Sequence, residues 1–222
     1  MRDILSDLSE AMSDPDPVRR AQIQMKRPLP KRFYKEVSTD RADEGFRILL
    51  DGRPVRTPGK KLLAVPAQPI ADRLKAEWDG QGGGIGPART PGTRLVDRAV
   101  GGVADNLDAV FEEIVRFAGT DMLCYRADSP DGLVARQREG WDPIIRWAAD
   151  TKGIRLVLVE GVMHQEQPTE AIEAFAAALS AHRDPLALAC VHTVTTLTGS
   201  ALLALAFAEG VIDADKAWAL AH

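Results

Sequence analysis

The chain is poor in the residues that carry most enzyme chemistry. Its 222 residues include 2 cysteines, 4 histidines and 5% aromatics. Cys124 and Cys190 lie far apart. They allow a single disulfide at most and exclude a disulfide framework, so reduced, buried thiols of a cytosolic protein are expected. His164, His182, His192 and His222 are scattered. None pairs at i, i+3 or i, i+4 with another ligand in the manner of a zinc site, so no metal is expected. Cys190 and His192 are two apart, which on a helix turns them to different faces and argues against a Cys–His catalytic pair. Charge of one sign is not in large excess. The net charge of −4 leaves no broad basic field for a phosphate backbone, which argues against nucleic acid. The local clusters Lys26-Arg27 and Lys31-Arg32 read as solvated surface.

Long apolar runs are also missing. The longest, Leu197 to Ala208, is interrupted by Thr198, Gly199 and Ser200 and is too short to span a bilayer. The N-terminus has no apolar core of a secretory signal. Asp3, Asp7, Glu10, Asp14 and Asp16 are unlike a mitochondrial transit peptide, which is poor in acids. A soluble, cytoplasmic protein without membrane insertion is the expectation.

What is present is ordinary globular material: 45% hydrophobic and 27% charged residues, in a chain long enough to bury a real core. Residues 1–30 read as a polar tail broken by Pro15, Pro17, Pro28 and Pro30, with one short amphipathic turn at Ile4, Leu5 and Leu8. Residues 31–86 read as a β-rich domain with one helix. Phe46 to Leu50 runs into Asp51-Gly52, a two-residue hairpin signal. The return through Pro54 and Pro58 must be short or at an edge, because proline cannot donate to a ladder. Lys61 to Val65 gives another strand. Ile70, Leu74 and Trp78 mark a helix. Gly80 to Pro87 follows a helix rather than a strand, and no Gly-Lys-Ser/Thr follows it, so a flexible interdomain linker is expected rather than a phosphate cradle.

Residues 87–222 read as a larger, mainly helical domain with one strand. A single helix is expected over Thr93 to Phe117, kinked or closely packed at Gly101-Gly102. Asp131 to Ala149 is the next helix. Pro143 either kinks it or starts a new helix with Asp142 as N-cap. Ile154 to Glu160 reads as a β-run, and Thr169 to Ser180 as an Ala-rich helix. Asp184-Pro185 opens a helix that breaks near Thr198-Gly199-Ser200. Asp213 caps a last helix that is still running at His222, which reads as a truncated C-terminus. The fold class is α+β: a small antiparallel β-domain followed by the helical domain.

Catalytic patterns do not emerge. Gly199-Ser200 lacks the leading half of a Gly-x-Ser-x-Gly elbow. Glu112-Glu113 and Asp105 with Asp108 fall on the presumed solvent face of a helix. Asp121 follows Gly-Thr and reads as a cap or a buried hydrogen-bonding group. Trp141 and Trp147, with Arg136, Arg138 and Arg146 nearby, read as packing or as a recognition surface, because Trp and Arg dominate interface energetics.

Longer motifs carry a resemblance. Lys31 to Val37, Leu50 to Pro58 (Leu-Asp-Gly-Arg-Pro-Val-Arg-Thr-Pro), Ala76 to Asp79, Thr93 to Leu95, Gly119 to Ala127 and Gln137 with Trp141-Asp142-Pro143 resemble, in order, the ATP synthase assembly chaperone family that binds the alpha subunit of the catalytic head. The resemblance covers residues 31–222. It implies a two-domain α+β protein of the bacterial cytoplasm (the mitochondrial matrix for eukaryotic relatives). It implies a non-enzyme without cofactor, monomeric when free, that shields the unassembled alpha subunit until beta subunits arrive. The family pattern continues past His222 with an acidic, Trp-containing segment, so its most direct functional residues cannot be carried over. Interface candidates are Arg53, Arg56, Arg94, Asp121, Tyr125, Arg136, Trp141 and Asp142. The alternatives are an enzyme or small-molecule binder with a cleft between the two domains, and a scaffold for some other subunit.

Overall fold

A computed structural model describes residues 29–222. All but the last two residues of the expected tail, and its apolar turn around Ile4, lie outside that range. Two hydrophobic cores organise the rest.

The first core lies under a small antiparallel sheet. Strands β1 (Val37–Ala42) and β2 (Gly45–Leu50) form a hairpin in the register Val37↔Leu50 to Ala42↔Gly45. On its other side β2 pairs with two short strands at different points. β3 (Arg53–Pro54) meets Leu49 and Leu50, and β4 (Ala64–Val65) meets Phe46 and Arg47. The Asp51-Gly52 turn forms as expected, with φ of 48° and 75°, the paired positive values of a type I′ turn. Gly45 is required by space: a Cβ there would lie 2.5 Å from the Val65 carbonyl oxygen, at φ +121°. The expected strand Lys61–Val65 is regular over its last two residues. The sheet buries Val37, Ile48, Leu50, Leu63 and Val65 against Ala71 and Leu74 of helix α1 (Gln68–Asp79).

The glycine segment after α1 is not a free linker. Gln81 is buried, donates to the Glu77 and Arg89 carbonyls and accepts from Gly86 N at 2.9 Å. Ile85 N donates to Pro30 O at 2.7 Å, and Gly84 forms a bridge with Lys31. These hydrogen bonds satisfy backbone groups that a solvated linker would leave to water.

The second core is helical. Helix α2 (Pro91–Arg98) begins with a borrowed cap. Glu77 of α1 accepts from Gly92 N at 2.6 Å, Thr93 N at 2.9 Å and Thr93 Oγ1 at 2.8 Å. A carboxylate at a helix N-terminus satisfies orphan N–H groups and opposes the helix dipole. Val96 of α2 then buries into the sheet core, which ties the two parts together. The single helix expected over Thr93–Phe117 is two. A π-helical turn over Ala99–Val103 contains both glycines, and α3 restarts at Leu107 and runs to Ala118. Two adjacent glycines weaken helical hydrogen bonding enough to admit the wider turn.

Strand β5 (Tyr125–Arg126) precedes α4 (Asp131–Lys152). Pro143 sits inside α4 without ending it, so Asp142 is not an N-cap. The expected β-run at Ile154–Glu160 reduces to β6 (Val159–Glu160), which pairs in parallel with β5. Helices α5 (Thr169–Leu179), α6 (Pro185–Thr198), α7 (Ala201–Ala208) and α8 (Ala214–Ala221) complete the fold. Asp184 and Asp213 cap as expected, accepting from Leu186 N and Ala187 N and from Lys216 N. Helix α7 is apolar all round and its first six residues are buried, so it is the centre of the helical core.

Candidate functional site

The eight interface candidates fall in separate places. Arg53 and Arg56 are exposed beside the β2–β3 turn. They line a hollow of about 480 Å³ with Phe33, Leu50, Asp51, Pro54, Val55 and Trp78. Arg94 is exposed on α2, apart from the others. Arg136 is exposed on α4. It borders a hollow of about 240 Å³ with Trp141, whose Nε1 donates to Leu220 O at 2.8 Å and so fastens α8 onto α4. Tyr125 and Asp142 are half-buried around Arg126.

Asp121 is the correction. It is 0% exposed and no partner can touch it. Its Oδ1 accepts from Leu123 N at 3.0 Å, and its Oδ2 from Ser200 Oγ at 2.9 Å and Leu202 N at 2.8 Å. Ser200 in turn caps α7 through Leu203 N at 3.0 Å. One carboxylate therefore holds the turn before β5 to the start of the central helix. Burial raises its pKa to about 6, while its hydrogen bonds to Leu202, Leu123, Ser200 and Ala201 pull the other way.

Arg126 is the residue the sequence did not single out. Its Nε donates to Leu123 O at 2.9 Å and its Nη1 to Asp142 Oδ1 at 2.7 Å, and the guanidinium lies 5.4 Å from the centre of the Trp141 ring. Its backbone carbonyl accepts from Gly161 N at 2.8 Å. Neighbouring Ala127 N is held by Gln137 Oε1 at 2.8 Å. The Gly119–Ala127 motif and the Gln137, Trp141 and Asp142 positions are thus one packed unit. The signal in the sequence was the clustering of polar groups in two separated segments, but spacing alone does not reveal that a guanidinium joins them.

That unit carries a loop. After α4 the chain exposes Val157 and Leu158, passes through β6, turns at Gly161 and exposes Val162 (90%) and Met163 (77%). Its base is fixed. Gln167 Oε1 accepts from Val157 N at 2.8 Å and Gln167 Nε2 donates to Val157 O at 3.0 Å, while Tyr125 Oη lies 3.4 Å from His164 Nδ1. The apolar side chains are held outward rather than left on a fraying end. Beneath the loop is a hollow of about 480 Å³ walled by Arg126, Arg138, Asp142, Leu158 and Glu160.

The acidic residues of the α2–α3 region are not simply solvated. Lys61 Nζ pairs with Asp105 at 2.5 Å and Arg183 with Asp108 at 2.5 Å. Glu113 Oε2 lies 3.0 Å from Nε2 of buried His192, whose Nδ1 lies 3.0 Å from Arg98 Nη2. These pairs bridge elements. Cys124 is buried, and burial first, then the nearby Asp121 carboxylate, pushes its thiol up to about 12 against the pull of Arg126. A thiol so placed stays protonated and is a poor nucleophile. Among the described residues no group of three or more His, Cys, Asp or Glu could hold a metal ion, and no helix is long and apolar enough to cross a membrane.

Comparisons with known proteins point one way. The sequence pattern of the family described as ATP12 chaperone protein matches residues 31–149. The structure is similar to that of Atu1473 from Agrobacterium tumefaciens, described as a candidate chaperone. The TM-score is 0.84 and the identity 56%, over 100% of this chain and 83% of that one. It is also similar to Atp12 from Paracoccus denitrificans, with a TM-score of 0.81 and 38% identity over 86% of this chain and 82% of the other. The mitochondrial protein atp12 of Schizosaccharomyces pombe is 25% identical over 215 residues, 91% of this chain and 74% of that protein.

Proposed function

We propose that this chain, which belongs to the ATP12 chaperone protein family, serves ATP synthase assembly by holding the unassembled alpha subunit of the catalytic head. It covers the surface that a beta subunit later takes. The observation that carries this reading is the clamped loop with Val157, Leu158, Val162 and Met163 turned to solvent. Exposed apolar side chains on a fixed base need a partner to cover them. A subunit taken from an alternating ring presents apolar surface that would otherwise aggregate. Holding it requires an interface and no bond-making step, so the protein acts without a catalytic residue or cofactor.

The contact surface then comprises this loop and, from the candidates, Arg53, Arg56, Arg94, Tyr125, Arg136, Trp141 and Asp142. Asp121 belongs to the interior. The free protein is a monomer in the bacterial cytoplasm, and eukaryotic relatives act in the mitochondrial matrix. The test is co-expression with the ATP synthase alpha subunit, scored by soluble alpha and by co-elution in size exclusion. The wild-type chain keeps alpha soluble. Val162→Asp with Met163→Asp loses this while unfolding at the wild-type temperature, because both side chains are already in water. A wild-type protein that is folded and leaves alpha insoluble overturns the reading.

A further inference from the structure

The hollow beside the β2–β3 turn has unspent donors. Arg53 and Arg56 stand at its edge, exposed, and among the described residues neither meets a carboxylate; Arg56 Nη1 donates to Lys60 O at 2.8 Å. The carboxylate on the same wall, Asp51, is already engaged. Its Oδ1 accepts from Lys35 N at 3.0 Å and Glu36 N at 2.9 Å. Two guanidinium groups therefore face one satisfied carboxylate. Trp78 also lines the hollow, and its buried indole Nε1 has no acceptor among the described residues. A buried donor without an acceptor is destabilising and calls for a partner. The remaining walls are apolar: Phe33, 74% exposed, and Val55.

We infer that this hollow docks an acidic, extended peptide segment of the protein that the chain holds. Charge complementarity names the occupant. Guanidinium groups bind carboxylates in charge-assisted, often bidentate fashion. The orphan indole donor takes a backbone or carboxylate oxygen. The apolar walls cover neighbouring side chains of the same segment. Phe33, 74% exposed and edge-on to Tyr34, can turn over the bound segment, since exposed side chains change rotamer within nanoseconds. The chain as a whole carries −4, so an acidic peptide gains nothing from the general field and must be drawn by the local site. The volume of about 480 Å³ lies within the range of ligand-sized pockets. The owner of the segment rests on the chaperone reading above; the chemistry of the hollow does not.

The probe is a short synthetic peptide alternating Asp or Glu with Leu and Val, with a control carrying Lys in place of the acids. It is titrated into the full-length, nitrogen-15-labelled protein, and the Trp78 indole N–H resonance is assigned with Trp78→Phe. The acidic peptide shifts this resonance saturably, the Lys peptide does not, and the affinity falls as salt rises. Arg53→Glu with Arg56→Glu weakens binding at least about tenfold, and the milder Arg53→Gln with Arg56→Gln does so to a smaller extent. Both pairs are exposed and keep the native circular dichroism. The inference fails if the indole resonance does not move, if binding survives the double reversal, or if sodium phosphate displaces the peptide and shifts the resonance equally. Peptide binding without rescue of alpha would remove the chaperone reading and leave the hollow, and rescue without peptide binding the reverse.

Discussion

Asp121→Ala is the sharpest test of how the helical half is held. The substitution removes the acceptor for two buried backbone donors, Leu123 N and Leu202 N, and for the Ser200 hydroxyl. Each orphaned buried donor costs about 1–3 kcal/mol, so the backbone pair alone gives roughly 2–6. Against this, the carboxylate is itself unhappy when charged: burial raises its pKa from 3.8 to about 6. That difference corresponds to about 3 kcal/mol. With the Ser200 hydroxyl the three donors together give roughly 3–9 kcal/mol, so after that offset the net loss expected at pH 7 centres on about 3 kcal/mol, or roughly 6–12 °C in Tm for a chain of this size. The pH dependence follows from the same shift. A raised folded-state pKa adds stability that is fully present below 3.8 and is lost as pH rises through about 6. Wild type should gain on the order of 1 kcal/mol from this group between pH 7 and pH 5. Asp121→Ala cannot, so the gap between the two proteins widens toward pH 5. Urea unfolding followed by circular dichroism at both pH values measures it. A gap under about 1 kcal/mol at pH 7, or one that narrows on acidification, would refute the role given to the clamp.

Other consequences are quicker to check. Gly45→Ala places a Cβ 2.5 Å from the Val65 carbonyl oxygen at φ +121°; the cost should exceed about 2 kcal/mol, read as a lowered urea midpoint. Arg126→Met removes the bonds to Leu123 O and Asp142 Oδ1. It should cost about 2–3 kcal/mol and speed hydrogen exchange at the Gly161 amide, while unchanged exchange would show that β5–β6 holds without it. Cys124, its thiol pushed up to about 12, should resist a thiol reagent in the native protein at mildly alkaline pH and react fully in denaturant.

Local chemistry was legible before the structure. Asp184-Pro185, Asp51-Gly52 and the break at Thr198-Gly199-Ser200 each specify a conformation through neighbours in sequence, and each forms as expected. Polar β1 was harder. Ser38, Thr39, Asp40 and Arg41 show no apolar alternation, and their strand exists because β2 offers a ladder. The Ile154–Leu158 run misled for the opposite reason: its composition suits a strand, but among the described residues no neighbouring strand pairs with it before Val159. The Gly80–Gly86 segment looked like a linker because its organiser, Gln81, acts through contacts with Glu77, Arg89 and Gly86.

By itself the sequence determined the α+β class, most helix ends and the family resemblance, because caps, turns and apolar periods act over a few residues. Which polar groups face inward was left to the tertiary structure. Asp121 and Arg126 are five residues apart in one motif. The first is sealed between the β5 turn and α7, and the second joins β5 to Trp141 and Asp142. The same holds for the apolar residues left outside. Val162 and Met163 are outward because Gln167, Tyr125 and Arg126 fix the loop that bears them, and burial is a property of the packed chain rather than of a residue's neighbours in sequence.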